Sequence, residues 1–297
     1  MSDNFRSGFA GLIGAPNVGK STLLNHMLGE KVSITSSKPQ TTRNRILGVV
    51  HREKAQIVVL DTPGIHDADS PLNRHMVDVA MTCMGDVDLL MFVIDASRPD
   101  PRSEELALKG LAKQKRPVVL VINKIDLVEK AQLLPILAKW QNVYNFSSMV
   151  PVSAKHGTQV GELLHVLEEL LPPGPPFFPE DSLTDMPERF VAAEMIREKV
   201  FRLTSQEIPY SVAVTIDSFE EQAEPPMVKI SAVIHVERDS QKGIVIGKAG
   251  AMLKKIGTSA RMEIERMVGV KVFLKLFVRV EKNWSSDTKA MRRLGYE

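Results

Sequence analysis

The sequence predicts an α/β domain followed by a smaller α+β domain, on three observations. Short apolar runs alternate with helix-length stretches through the first half, a proline-dense break follows, and the second half changes rhythm. At 297 residues the chain is long for a single core, and roughly 150 residues per domain points to about two.

In chain order, the runs at 9–13, 57–60, 89–94, 118–122 and 149–152 are rich in Val, Ile and Leu, as buried strands are. Between them, 20–28, 103–113 and 158–170 read as helices. Strands alternating with helices imply crossover connections and a mostly parallel sheet. Residues 171–179 read Leu-Pro-Pro-Gly-Pro-Pro-Phe-Phe-Pro; so many prolines cannot continue a helix and favour an extended, semi-rigid spacer. The expected division is a first domain over 1–171, a proline-rich linker over 172–181 and a second domain over 182–297.

In the second half, Pro187 suits a first helical position and opens a helix to about Leu203. Strands follow at 211–218 and 228–236. The latter alternates Val228, Ile230, Ala232, Ile234 and Val236 with Lys229, Ser231 and His235, the mark of a half-buried strand. A glycine-interrupted helical pair spans 243–267. The last strand, 270–280, puts Val270, Val272, Leu274, Leu276, Val278 and Val280 on one face and Lys271, Phe273, Lys275, Phe277 and Arg279 on the other. The order is α-β-β-α-α-β.

Composition narrows the function classes. A hydrophobic share of 43% with 25% charged residues excludes wholesale disorder and collagen-like repeats. The longest apolar runs fall far short of the ~20 residues of a membrane helix, and the polar N-terminus leads us to expect no signal peptide. The one cysteine, Cys83, cannot form an internal disulfide; it fits a reducing compartment and a small buried hydrophobe. The seven histidines show no metal-ligand spacing. The net charge of +2 hides a segregation: residues 241–297 carry 13 Lys and Arg against 5 Asp and Glu, and residues 182–240 carry 6 against 11. A basic section of this kind reads either as a polyanion-binding face or as plain solvated surface.

Gly14, Ala15, Pro16, Asn17, Val18, Gly19, Lys20 and Ser21, followed by Thr22, match the phosphate-loop pattern between a strand and a helix. Its glycines let backbone N–H groups wrap phosphates, and the helix N-terminus adds a favourable dipole. Lys20 would neutralise β/γ-phosphate charge and the Ser21 hydroxyl would ligate Mg²⁺. Asp61, Thr62, Pro63 and Gly64 follow a buried strand, where an aspartate reaches Mg²⁺ through water and a glycine N–H senses the γ-phosphate. Ile65 comes next, where many switch GTPases carry a water-orienting glutamine. Asn123, Lys124, Ile125 and Asp126 end the 118–122 strand; a carboxylate there accepts guanine N1–H and N2–H₂, a donor pair adenine lacks. Ser153, Ala154 and Lys155 follow the next strand, ready to place a backbone N–H near guanine O6. Four motifs at strand C-terminal ends indicate a guanine-nucleotide site.

With Gln40, Thr41, Thr42 and Arg43 added, the motif set resembles translation-factor-type GTPases, and the Era family in particular. The resemblance implies a P-loop GTPase domain that hydrolyses GTP to GDP. Within segment 36–45, it implies that Thr42 is the switch I residue that ligates Mg²⁺ in the triphosphate state, with Thr41 the neighbouring fallback. Ser21, Thr42 and Asp61 are then the Mg²⁺ set, and Lys20, Thr42 and Gly64 the catalytic one. Asn17 admits two readings: its side-chain oxygen holds a K⁺ beside the phosphates, as the matching asparagine does in potassium-activated relatives, or it only shapes the loop.

Val245, Ile246, Gly247, Lys248, Ala249 and Gly250 resemble the Gly-x-x-Gly loop of a KH domain, and the element order resembles its type II arrangement. Two glycines let the backbone and Lys248 approach a sugar-phosphate chain, clamping about four nucleotides. Ala249 stands where the family often has glycine; a methyl at an x position is expected to be tolerated. On the next helix Lys254 and Lys255 are RNA candidates beside a core stripe of Leu253, Ile256, Ala260 and Ile264. The basic-aromatic face of the last strand suits either phosphate contact with base stacking or packing of the phenylalanines against a neighbouring element. By resemblance, the KH domain binds the 3′ end of 16S rRNA and the GTPase assists maturation of the small (30S) ribosomal subunit, as a cytoplasmic monomer with peripheral inner-membrane attachment. Two rivals from other classes are an ATP-driven RNA remodelling enzyme, opposed by Asn123 to Asp126, and a non-enzymatic RNA scaffold, opposed by intact Lys20, Ser21 and Asp61.

Overall fold

A computed structural model of the chain describes residues 5–36, 38, 40–68, 70–204 and 208–296. They fall into two compact units, the first from Met1–Asp69 and Asn73–Asp185, the second from Ser70–Leu72 and Met186–Glu297. Ser37 and Pro39, inside the expected switch segment 36–45, lie outside the described residues.

The first unit is a six-stranded sheet covered by helices. Its strands are β1 (Arg6–Ile13), β2 (Ile46–His51), β3 (Ala55–Asp61), β4 (Leu89–Asp95), β5 (Val118–Asn123) and β6 (Ser148–Pro151), in the spatial order β2-β3-β1-β4-β5-β6. Only β2 runs antiparallel to its neighbour; the other pairings are parallel. Helices α1 (Lys20–Leu28), α2 (Pro71–Cys83), α3 (Pro101–Leu111), α4 (Lys130–Gln141) and α5 (Val160–Leu170) make the connections. Every residue of β3, β4 and β5 is buried, so their runs carry no polar alternation. Phe92, Ile94, Leu120, Ile122, Trp140 and Cys83 share one core cluster.

Three of these elements escape the sequence reading. In β2, Gly48 interrupts the apolar run because a Cβ there would sit 2.7 Å from Leu24 and 2.8 Å from Leu28. Helix α2 buries Leu72, Met76, Ala80 and Cys83 at near-helical spacing. Helix α4 carries an internal proline, Pro135, and buries only Trp140. The proline-dense segment runs extended beside the first unit. Ser7 N–H donates to Pro172 O at 3.2 Å and Gly174 N–H to Phe5 O at 3.0 Å. The Gln56 amide accepts from Phe177 N–H at 2.7 Å and donates to Phe178 O at 2.8 Å.

Strand order reverses on either side of β1, between β3 and β4. A doubly wound sheet opens a crevice at such a switch point, outside the strands' C-terminal ends. The loops leaving β1, β3, β5 and β6 at that edge are the ones that carry the four motifs.

The second unit contains α6 (Glu188–Leu203), β7 (Ala213–Gln222), β8 (Met227–Val236), α7 (Asp239–Ile246), α8 (Ala251–Val268), β9 (Lys271–Val280) and α9 (Thr288–Arg293). Central β8 pairs antiparallel with β7 and parallel with β9; the parallel pairing needs a crossover, which α7 and α8 supply. Val191, Ile196, Val200, Ile230, Ile234 and Ile256 anchor the core. A register shift between Ile216 and Ser218 breaks the alternation of β7, which is why the sequence pattern stops four residues before the strand does. Trp284, Met291, Leu294 and Tyr296 close the end of the unit around Ala213, with Trp284 Nε1–H donating to Ser211 O at 3.0 Å. Among the described residues, no helix is long and apolar enough to cross a membrane.

Candidate nucleotide site and nucleic-acid interface

The phosphate loop is held by its own neighbours. Gly19 caps α1 in the left-handed region, φ 99°, where a Cβ would meet the Asn123 amide at 2.3 Å. That amide donates from Nδ2 to Val18 O at 2.7 Å, and Asn123 Oδ1 accepts from Ala154 N–H at 2.9 Å. One buried asparagine therefore ties the phosphate loop to the 153–155 loop. Gly64 lies so close to the loop that a Cβ would come within 2.6 Å of Pro16 N, and Ile65 N–H donates to Gly14 O at 3.0 Å.

Lys20 is buried, and its Nζ donates to Gly14 O at 3.0 Å and Ala15 O at 2.9 Å. Burial lowers its pKa to about 8, against the opposing pull of Asp61. Ser21 Oγ–H donates to Asp61 Oδ2 at 2.6 Å and sits 2.8 Å from Thr42 Oγ1. Ser33 Oγ–H donates to the same Asp61 oxygen at 2.8 Å. Asn25 on α1 fixes that segment, accepting from Val32 and Ser33 N–H and donating to Ser33 O. Asp61 is fully buried, which pushes its carboxyl pKa up, while bonds from Ser21 and Ser33 and the charge of Lys20 pull it down. Its second oxygen, Oδ1, is buried with no hydrogen-bond partner. An orphaned carboxylate oxygen beside two hydroxyls is a donor set suited to a hard divalent cation.

Around these groups opens a cavity of about 840 Å³. It is lined by the loop from Pro16 to Thr22, by Thr35, Ser36, Gln40, Thr41 and Thr42, by Thr62 and Gly64, and by Lys124. Asn17 stands on its wall in a left-handed conformation, φ 62°. The side chain of Ile65 is instead in the core, and Thr62 Oγ–H is spent on Leu12 O at 2.6 Å. Asp126 and the 153–155 loop are not among the residues that line this cavity; there Ser153 Oγ–H donates to Asp126 Oδ1 at 2.6 Å, and this bond first of all lowers the Asp126 pKa. Ile125 N–H holds Val152 O, and Lys155 is exposed.

Sequence reasoning missed four contributors. Ser33 supports Asp61 without lying in any motif. Asp95, at the end of β4, is bonded to Lys124 Nζ and accepts from Ser97 and Arg98 N–H; its place at a strand's C-terminal end was the available signal. Arg98 lines the cavity. His66 links the Asp61–Gly64 loop to Gln40, with Nδ1 2.8 Å from Gly64 O and Nε2 3.5 Å from the Gln40 amide.

In the second unit Gly247 caps α7 at φ 73° and Gly250 caps α8 at φ 78°. Between them Lys248 and Ala249 are exposed, and Lys254 and Lys255 extend the basic surface along α8. Ile246 is half-buried. Ala249 is left-handed, φ 51° and ψ 31°, so the loop carries its methyl at a backbone cost. The β9 phenylalanines are not packed under another element: Phe273 is 49% and Phe277 54% exposed.

A phosphate loop at a sheet switch point, a guanine-type motif on β5 and a Gly-x-x-Gly loop in a second unit define a P-loop GTPase joined to a KH domain. The family model described as "50S ribosome-binding GTPase" matches residues 9–124, and the KH domain model matches 207–285. The GTPase Era of Geobacter metallireducens is 56% identical over 297 residues, with 100% of each chain covered. That of Syntrophus aciditrophicus is 49% identical, covering 98% of this chain and 95% of its own. Two solved Era structures superpose with TM-scores of 0.95 at 41% identity over 98% of this chain and 99% of theirs. One is an Aquifex aeolicus variant bound to GDP·AlF₄⁻, the other a complex with MgGDPNP and nucleotides 1506–1542 of 16S rRNA. The chain belongs to the Era family of GTPases.

Proposed function

We propose that the chain is a Mg²⁺-dependent GTP switch whose KH domain binds the 3′ end of 16S rRNA and which assists small-subunit assembly. The convergence of Ser21 Oγ, Thr42 Oγ1 and an Asp61 carboxylate with one orphaned oxygen supports the nucleotide half most directly. The rRNA half rests on the likeness to the relative solved with nucleotides 1506–1542 and on the basic loop and helix around Lys248, Lys254 and Lys255.

In this reading Ser21, Thr42 and Asp61 would hold Mg²⁺, which when bound offsets charge on the β- and γ-phosphates. Lys20 would exchange its two carbonyl partners for phosphate oxygens, and the N–H groups from Asn17 to Thr22 would wrap them. Gly64 would sense the γ-phosphate through its N–H. Asp126 would accept from the guanine edge while Asn123, Lys124 and the 153–155 loop keep it in place. Asp126→Asn removes that acceptor and should cost about 2–5 kcal/mol of GTP affinity with a gain for xanthosine triphosphate. Titration calorimetry with both nucleotides checks it, and unchanged GTP affinity would show the base site to be misplaced.

The core position of Ile65 means that water must be oriented by another group, and Asn17 gives a second reading. Asn17 lines the cavity, and its side-chain oxygen would help hold K⁺, offsetting charge on the phosphates. Hydrolysis should then run faster in K⁺ than in Na⁺ at equal ionic strength, and Asn17→Ala should erase the difference while keeping most GTP affinity. Equal wild-type rates in both salts, with and without RNA, would remove the cation. We place the site of action in the cytoplasm, with the chain working as a monomer; peripheral membrane attachment is the family's expectation, and flotation with anionic vesicles tests it.

A further inference from the structure

We infer that Arg98 is a further nucleotide-binding residue, whose guanidinium meets the α-phosphate of the bound guanosine nucleotide. The inference deepens the nucleotide reading above and rests on it.

The sheet order decides where the loop after β4 must stand. Strand β4 lies between β1, which leads into the phosphate loop, and β5, which leads into the Asn123–Asp126 motif. Its end touches both. Gly14 comes so close that a Cβ there would sit 2.2 Å from Val93 O, and Ala96 N–H donates to Asn123 O at 2.9 Å. Residues 97–101 therefore leave the sheet between the loop that would wrap the β- and γ-phosphates and the motif that would hold the base. A nucleotide spanning the two crosses this loop with its sugar and α-phosphate. Arg98, Pro99, Asp100 and Pro101 line the same cavity as Asn17 and Lys124.

The loop is pinned at its root. Asp95 Oδ1 accepts from Ser97 N–H at 2.9 Å, Ser97 Oγ–H at 2.6 Å and Arg98 N–H at 3.1 Å. The other oxygen of Asp95 is bonded to Lys124 Nζ. One carboxylate, 8% exposed, thus fixes the placement of two cationic residues on the cavity wall. The prolines at 99 and 101 narrow the backbone choices beyond it. The acid on the loop itself is already committed, since Asp100 Oδ1 caps α3 by accepting from Ser103 N–H at 3.1 Å. Among the described residues, the Arg98 guanidinium has no hydrogen bond or ion pair. Arg102, four residues on, is paired with Asp67 and does not line the cavity. Solubility asks for a charge, but not for one carried on a pinned loop at a cavity wall.

Charge selects the phosphate over the sugar, because a guanidinium gains more from an anionic oxygen than from a hydroxyl. GDP and GTP share the α-phosphate, so the contact strengthens both alike and leaves the chemical step unchanged.

The test is titration calorimetry on the full chain with GDP, 2′-deoxy-GDP and the non-hydrolysable guanosine 5′-(β,γ-imido)triphosphate, comparing wild type with Arg98→Ala and Arg102→Ala. Arg98 is exposed, and thermal melting without nucleotide verifies that each variant folds. Arg98→Ala should weaken all three ligands by the same factor, roughly tenfold, as for a hydrogen bond to a charged group. Its kcat at saturating GTP should stay within twofold of wild type, and Arg102→Ala should hold GDP affinity within twofold. Unchanged affinities in Arg98→Ala would overturn the inference. So would a loss confined to the triphosphate, which would put the arginine at the γ-phosphate, or a loss that vanished with 2′-deoxy-GDP, which would put it at the sugar. An equal loss in Arg102→Ala would make the effect a diffuse field rather than a contact, and equally overturn it. If the wild type bound none of the three ligands, the nucleotide reading itself would fall.

Discussion

In the first unit the charged groups of the proposed nucleotide site are buried among fixed partners before any ligand arrives, Lys20 at 6% exposure and Asp61 at 0%. In the second, Lys248, Lys254, Lys255 and the β9 face stand in water with no such network around them. The first arrangement costs folding energy, because a charge taken out of water is penalised until a partner arrives. It also makes binding selective, since the vacated interactions can be regained only by a ligand of matching shape and charge. The second arrangement costs the fold little and discriminates little, as screened surface charges do. A switch that must recognise one nucleotide and an interface that must follow a flexible strand place opposite demands on the same residue types.

Replacing Lys20 should give the largest departure between affinity and stability. Lys20→Met should lower GTP affinity by about 3–5 kcal/mol while leaving the nucleotide-free melting temperature equal or higher. Folding depresses the Lys20 pKa from 10.5 to about 8. Between those values the unfolded chain holds the extra proton, so nucleotide-free stability should rise as pH climbs from about 8 towards 10.5, and the burial penalty is in full force below 8. Triphosphate favours the charged amine, so GTP binding above pH 8 should take up protons, an uptake absent near pH 6.5. Calorimetry in buffers of different ionisation enthalpy measures this. A nucleotide-free melting temperature that dropped sharply in Lys20→Met would mean that the lysine holds the loop together, against the contrast drawn here.

The same comparison separates what could be read in advance from what could not. The phosphate loop and the Asn123–Asp126 motif are contiguous, since a loop at a strand's end must place several adjacent groups on one ligand, and contiguous patterns survive in a bare sequence. Ser33 is different: it reaches Asp61 from a segment fixed by Asn25, and no spacing rule connects the three. Strand β2 is hidden by Gly48, chosen for the leucines above it, and the far half of β7 by its register shift. The β9 face showed its pattern in full, yet the pattern alone left two meanings, because alternation says which residues share a face and not whether anything covers it.

A smaller effect is expected on the exposed side. Lys248→Ala and Lys254→Ala should each weaken RNA binding without changing GTP affinity. Each should flatten the dependence of log K on log salt by about 0.7 if it meets one phosphate of a single strand. Anisotropy titrations at several salt concentrations give the slope. A variant with unchanged slope would show that its lysine never meets a phosphate.

The smallest effect concerns one methyl group. Ala249 occupies φ 51° and ψ 31° inside the Gly-x-x-Gly loop, a region that costs an L-residue roughly 1–2 kcal/mol and glycine almost nothing. Ala249→Gly removes that penalty but gives the unfolded chain more freedom, worth about 0.4–1 kcal/mol in the other direction. The balance favours glycine by a few tenths to about 1 kcal/mol. The side chain is exposed, so no packing is lost with it. Denaturant unfolding of the full chain should therefore show a small gain in the transition that reports the second unit, with GTP affinity unchanged. RNA affinity should hold or rise slightly, because a glycine lets a sugar-phosphate chain come closer to the loop. If glycine instead destabilised that transition, the left-handed turn would have to be held by the alanine itself. The loop would then belong with the pre-formed phosphate site of the first unit rather than opposite it.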